Sequence, residues 1–187
     1  MDTQLPVVPV HDAVTPRPIR LAFSVAEESD AEAVAELRVA TARDLTEKFG
    51  YGHWSGEATA RGVIAGMRES KIWVARGGAT IVATFRMSTT KPWAIDRSYF
   101  SRAEYPLYLT DMAVQPGLQG RGIGRRCLVK AAEYARKWPA DAIRLDAYDS
   151  EAGAGRFYQK GGFRQVGRVA YRAVPLLYFE RLFPEIR

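Results

Sequence analysis

Between residues 114 and 125 the chain reads Val114-Gln115-Pro116-Gly117-Leu118-Gln119-Gly120-Arg121-Gly122-Ile123-Gly124-Arg125, with four glycines in eight positions. No other stretch limits the possible folds as strongly. Leu107 to Val114 reads as a strand, and helical spacing of apolar residues predicts a helix from about Gly122 to Trp138, stopped by Pro139. A turn of this kind removes side chains where something must approach the backbone. Bare N–H groups at a helix start, with the helix dipole, make a pocket for negative charge. Arg121, Arg125 and Arg126 can add charge-assisted donors. A Walker loop needs Gly-Lys followed by Ser or Thr, and both Gly122-Ile123 and Gly124-Arg125 fail that requirement. The dinucleotide fingerprint needs a third glycine where Arg125 stands. Taken alone, the turn suits a small phosphate-bearing ligand and a ligand-free strand-to-helix corner equally well.

The 187 residues suffice for one domain with its own core. Residues 1–18 hold Pro6, Pro9, Pro16 and Pro18 without periodicity and read as a mobile arm; residues 19–187 read as a single domain. Within it, Ile19–Val25 reads as a strand, and Ser29 with Glu32 as a capping box opening a helix. Val34, Leu37, Thr41, Leu45 and Phe49 form that helix's inward stripe. A second helix is expected over Glu57–Arg68. Strands at 72–76 and 79–87 are joined tightly through Gly77-Gly78. Residues 89–106 read as a loop placed to cover a site. Ala142–Tyr148 is a strand, Ser150–Lys160 a short helix closed by Gly161 and Gly162, and strands at 163–171 and 176–181 flank Pro175. This order gives an α+β fold with a mixed sheet.

The net charge of +6 is spread along the chain, without a basic block or a lysine-lined helix. With no helix-turn-helix, RNA-binding aromatic strand or zinc-ligand signature, no nucleic-acid partner is expected. No apolar run approaches the roughly 20 residues of a membrane span, so no membrane partner is expected either. A single cysteine, Cys127, excludes an internal disulfide framework and suits a reducing, cytoplasmic compartment. His11 and His53 are isolated, and no metal site is expected.

Downstream of the turn, Ala154 is followed by Phe157-Tyr158-Gln159-Lys160-Gly161-Gly162-Phe163. Together with Leu109-Thr110-Asp111-Met112-Ala113-Val114-Gln115-Pro116, this resembles the GNAT superfamily of N-acetyltransferases, in which Gln119-x-x-Gly122-x-Gly124 is the acetyl-CoA signature. The close likeness covers residues 107–166. It implies a central mixed, mostly antiparallel sheet flanked by helices, with parallel strands at 107–114 and 142–148 splaying around an acyl-carrying arm. It further implies acetyl-CoA as co-substrate, held by Met112, Ala113 and Val114 along the arm and by Gln119, Gly120, Arg121, Gly122, Ile123, Gly124 and Arg125 around the pyrophosphate. Tyr158 matches a tyrosine that stands beside the CoA sulfur in many members. Where many members carry an asparagine on the arm, this chain has Glu151.

Acetyl transfer to an amine needs a neutral amine, a stabilised oxyanion and a proton for the departing thiolate. With a pKa near ~10.4, only about one alkyl amine in a thousand is neutral at pH 7. The Val114 N–H is the expected oxyanion donor, worth ~3 kcal/mol by analogy with other acyl transfers. Tyr158 is the expected general acid, and the rival reading makes Phe157 and Tyr158 aromatic core. Asp111 is a candidate base through a water. Yet strict alternation sets Asp111 and Val114 on opposite faces and gives Tyr108 and Thr110 the face of Val114. Cys127, on the inward stripe of its helix, reads as a structural thiol.

Tyr51, His53, Trp54, Trp93, Tyr99 and Tyr105 lie in loops expected to meet the acceptor, where aromatic rings can cage a cationic amine. An apolar lid or a homodimer contact suits them equally. The expected partner is a small-molecule or peptide amine, and the expected reaction is direct attack in a ternary complex. The rival is an acyl-CoA-binding sensor without turnover.

Overall fold

Seven extended runs pair into one sheet. The computed structural model describes residues 19–183; the arm expected over 1–18 and the last four residues lie outside them. The strands are β1 (Ala22–Val25), β2 (Lys71–Gly77), β3 (Thr80–Ser88), β4 (Pro106–Val114), β5 (Ala142–Tyr148), β6 (Arg164–Tyr171) and β7 (Val174–Leu182). Their order across the sheet is β1-β2-β3-β4-β5-β7-β6. Every pair is antiparallel except β4 with β5, which is the mixed, mostly antiparallel sheet expected. The helices are α1 (Ala31–Phe49), α2 (Ala60–Glu69), α3 (Ile123–Lys137) and α4 (Gly155–Lys160).

Alternation along the strands sends apolar residues to both faces, and helices cover each. On one face α3 and α4 bury Phe85, Leu107, Leu145 and Phe179 with Ala131 and Tyr158. On the other, α1 and α2 cover Val34, Val63, Ile72 and Val74. Further along that second face, Ile95 and Phe100 from the 89–105 connection cap Tyr108 and Tyr178. A gap remains between these last two clusters. No described helix is long and apolar enough to cross a membrane.

Several boundaries differ from the sequence expectation. The box at Ser29 and Glu32 does not form. A 3₁₀ turn at Glu28–Asp30 precedes α1, and the Asp30 carboxylate accepts the Glu27 N–H at 3.0 Å while pairing with Arg76 at 2.6 Å. A tertiary ion pair thus selects Asp30 over Ser29. α2 begins three residues late because Thr59 caps it, its Oγ1 accepting the Gly62 N–H at 3.1 Å. The short helix begins at Gly155 rather than Ser150, since a side chain at Gly153 would collide with the Tyr148 carbonyl and the chain must turn there first.

Candidate active site

β4 and β5 are joined over only three residue pairs, Pro106–Ala142, Leu107–Ile143 and Tyr108–Arg144. Beyond them β4 keeps β3 as its neighbour and β5 keeps β7, so the two parallel strands part. Gln115 donates its N–H to Val82 on β3 at 2.9 Å. Alternation along the strand therefore turns the Val114 N–H away from β3, toward the gap. The Val114 carbonyl accepts the Gln119 side-chain amide at 3.3 Å, which ties the glycine turn to the strand end.

A cleft of about 480 Å³ opens from this gap to the start of α3. Of the residues expected around a diphosphate and its arm, Met112, Ala113, Val114, Gln119, Gly120, Gly122, Ile123, Gly124, Arg125 and Tyr158 all line it; Arg121 does not and points to solvent. Gly120 and Gly122 have φ of +74° and +76°, and a Cβ at either would meet nothing within 4 Å. The amides at the head of α3 are thus bare on the open side, which is the requirement for gripping an anion. Gly124 is held for a different reason, since a Cβ there would lie 3.1 Å from the Phe157 ring. Leu118, Leu128 and Phe157 give the middle of the cleft an apolar wall, and Arg125 and Lys160 add positive charge. A ligand with a diphosphate head and a long flexible arm fits these residues.

Tyr158 is placed by α4, whose ring packs edge-on against Phe157 and Phe163. Among the described residues its hydroxyl reaches only the Met112 Sδ, at 4.0 Å. Burial, with Asp146 nearby, pushes its pKa well above the ordinary tyrosine value. The Tyr158 ring belongs to the core under α3, and the residue lines the cleft as well.

A second cavity, about 700 Å³, adjoins the cleft and shares Thr41, Leu45, Met112, Ala113, Ala154 and Tyr158 with it. Thr41 and Leu45 belong to the expected inward stripe of α1, but here they face cavity rather than core. The loop after α1 is fixed by Ser55, whose Oγ meets the Thr46 Oγ1 at 2.6 Å and accepts the Gly52 N–H at 3.0 Å. This brings His53 and Trp54 against Tyr148 of β5, at ring separations of 6.4 and 5.8 Å. His53 and Trp54 line the cavity as expected. Tyr51, Trp93 and Tyr105 do not; they are 88%, 86% and 60% exposed. Trp93 and Tyr99 instead edge a separate hollow beside Tyr171 and Tyr178.

Asp111 sits in the cavity wall on a β-bulge. Between the pairs Thr84–Ala113 and Arg86–Thr110, β3 contributes only Phe85 while β4 contributes Asp111 and Met112. Asp111 has a φ of +53°, and its carboxylate lies 3.5 Å from Arg38 and 3.8 Å from Arg86. The bulge also corrects the expected facing. Leu107 and Leu109 belong to the core under α3, and after the bulge Met112 and Val114 pack on that same core. Tyr108 lies in the opposite core, and Thr110 lines the larger cavity, so neither shares the face of Val114. Burial lowers the Arg38 pKa, partly offset by Asp111, and its Nε and Nη2 have no hydrogen-bond partner among the described residues.

The cavity wall also includes Arg38, Asp146 and Tyr148, polar residues that the sequence did not single out. Asp146 and Tyr148 follow Arg144 at every second position of β5, alternating with Ile143, Leu145 and Ala147. A polar period of two on a central strand is a readable sign of a site. Burial raises the Asp146 pKa above the ordinary carboxylate range, and raises that of Tyr148 together with the nearby Asp146. Cys127 is buried and its thiol is pushed up to about 12 by desolvation, which leaves it no nucleophilic role near neutral pH. Glu151 is exposed and lines neither hollow.

The family model for the acetyltransferase (GNAT) family matches residues 38–163, a span running from the first cavity-lining arginine to the phenylalanine after Tyr158. The chain belongs to the GNAT acetyltransferase family. No curated protein matches the sequence. Among solved structures, a GNAT-family acetyltransferase from Listeria monocytogenes is 16% identical and superposes with a TM-score of 0.71, covering 91% of this chain and 99% of that one. The PaiA N-acetyltransferase of Thermoplasma acidophilum, in complex with coenzyme A, is 13% identical with a TM-score of 0.66, over 88% and 99% of the two chains. YncA of Salmonella typhimurium, a putative acetyltransferase with acetyl-CoA as its cofactor, is 15% identical with a TM-score of 0.64, over 88% and 95%. At such identities these neighbours share the GNAT fold with this chain.

Proposed function

We propose that this protein transfers an acetyl group from acetyl-CoA to a primary amine, by direct attack within a ternary complex. One observation carries the reading: the cleft at the head of α3 and the second cavity meet at Met112, Ala113 and Tyr158, where the central strands part. A thioester lying along the cleft would present its carbonyl there to an amine entering from the other side. Support for acetyl-CoA comes from family membership and from the coenzyme bound in the Salmonella and Thermoplasma structures.

The chain's own residues supply the steps. The head of α3 and Arg125 bind the diphosphate. The Val114 N–H, turned into the gap, stabilises the oxyanion by ~3 kcal/mol, as such donors do. The Tyr158 hydroxyl donates toward the sulfur as the thiolate departs. Its raised pKa makes full proton release costly, so its main contribution is a hydrogen bond to developing negative charge. His53, Trp54 and Tyr148 offer aromatic faces to a cationic amine. The lone buried thiol of Cys127 accords with a reducing, cytoplasmic setting.

Thermal melting with acetyl-CoA, followed by thiol release across lysine, spermidine, free amino acids and a peptide N-terminus, tests the reading. The coenzyme should raise the melting point by mass action, and at least one amine should release thiol. Stabilisation without release from any amine would favour a silent acyl-CoA sensor. An unmoved melting point at millimolar coenzyme would remove the transferase reading altogether.

A further inference from the structure

We propose that Asp146 on β5, rather than Asp111, receives the acceptor's ammonium group and takes its proton. The inference rests on the acetyltransferase reading of the same site. Position comes first: Asp146 lines the acceptor cavity together with Tyr158, which also lines the coenzyme cleft. It is held there by β5, paired with Tyr178 of β7, on the strand face opposite Ala147 in the core. Because β4 has already parted from β5 at Tyr108–Arg144, the wall beside Asp146 stays open to an entering molecule.

The two carboxylates differ in what they already hold. Asp111 faces two guanidinium groups and carries the strained backbone of a bulge. Asp146 forms no ion pair among the described residues, and the one group favouring its ionised form is its own backbone N–H. A carboxylate set into a cavity wall without a cation is costly unless a cation arrives. The surrounding groups supply none. Tyr148 on its own strand, Tyr158 of α4 and Tyr178 of β7 are neutral phenols near pH 7, and Arg144 is turned to the Ser101 carbonyl. Arg38 of α1 is committed to Asp111, while His53 and Glu57 of the loop are exposed at the cavity mouth. Burial that raises a carboxylate toward neutrality also makes it a better matched base at physiological pH.

The proton balance closes. The ammonium gives one proton to Asp146, and the freed lone pair forms the C–N bond at the thioester carbonyl. As the C–S bond breaks, the departing sulfur receives the hydrogen bond of Tyr158. The second amine proton passes to the sulfur, and Asp146 returns its proton to water. Ammonium and thioester become amide, thiol and one released proton.

The test uses the full chain with Asp146→Asn and Asp146→Glu, both checked for folding by thermal melting. Thiol release with the most active amine of the panel should fall about 100-fold in kcat for Asp146→Asn, the size expected for losing a general base. The KM for acetyl-CoA should stay within about twofold, the acid limb of the kcat/KM profile should move, and Asp146→Glu should recover part of the rate. Turnover of Asp146→Asn within about threefold of the parent, with an unmoved acid limb, would overturn the proposal. A second measurement needs no turnover: the Asp146 carboxyl carbon is titrated by NMR with and without ethylammonium. A midpoint lowered by the cation supports the assignment, and an identical midpoint refutes it. Failure of acetyl-CoA to bind the parent would instead sink the transferase reading, leaving the NMR titration to decide whether Asp146 is an ammonium site.

Discussion

The hydroxyl of Tyr158 and the thioether of Met112 stand 4.0 Å apart, and among the described residues the hydroxyl has no other hydrogen-bond partner. Thioether sulfur is a weak acceptor, so a buried donor is left nearly unspent at the point where a leaving sulfur would arrive. Tyr158→Phe should therefore reduce kcat about 100-fold while barely changing the KM for acetyl-CoA. The cost in folding should be below about 1 kcal/mol, since the hydrogen bond removed is poor. Steady-state kinetics beside a thermal melt separates the two effects.

The raised Tyr158 pKa has a signature in stability. The unfolded chain ionises this tyrosine near ~10, whereas the folded chain keeps it neutral to higher pH. Folding stability should thus fall as pH rises from about 10 toward the raised value, and Tyr158→Phe should blunt that fall. Denaturant midpoints measured at alkaline pH on both proteins check the sign.

Gly122 starts α3 with a positive φ and open space where a side chain would go. Gly122→Ala should cost about 1 kcal/mol of stability from the left-handed backbone. Its methyl would also stand in the cradle, so coenzyme affinity should drop more than about tenfold, equivalent to about 1.4 kcal/mol. Calorimetric titration with acetyl-CoA on the variant measures this, and unaltered affinity would show that the diphosphate is held elsewhere.

Asp111 supplies the counter-charge for two arginines. Asp111→Asn keeps a residue tolerant of the left-handed backbone but leaves both guanidinium groups unneutralised. With the carboxylate partly exposed, the loss should be on the order of 1 kcal/mol and should shrink with added salt. If the pH dependence of kcat/KM is also unmoved, the residue is a support of the bulge and not a proton acceptor.

Asp146 should show the reverse. Its folded pKa lies above the unfolded value, so the fold gains from keeping it protonated and loses stability as pH climbs from about 3.9 through the raised value. At neutral pH, Asp146→Asn should melt above the parent, and the difference should vanish below about pH 3.9. A change that stabilises the fold while lowering turnover is the mark of a functional carboxylate.

Local rules carried the glycine turn, because Gly120, Gly122 and Arg125 act through backbone angles and charge that neighbouring residues determine. Tyr158 was legible for the same reason, lying on one short helix with Phe157 and Phe163. Facing along β4 was not, because Asp111 takes a positive φ without being glycine and shifts the alternation by one. The tight turn at Arg172-Ala173 escaped likewise, with φ of +49° and +66° at residues that carry no turn signal. Asp146 was readable in principle from the alternation of β5, but only the parting of two strands distant in sequence shows that its face meets a cavity. Tyr51, Trp93 and Tyr105 mark the opposite limit: aromatic content identifies loops that could meet a ligand but not which way their rings turn.

Within the sheet, three residue pairs from Pro106 to Tyr108 are the whole seam between β1–β4 and β5–β7. Such a seam works mechanically as a pivot, with two leaves that part at their open ends and are spanned by helices, by the loop after α1 and by the 89–105 connection. A molecule lodged between the leaves becomes a strut, so filling the gap and stiffening the sheet are one event.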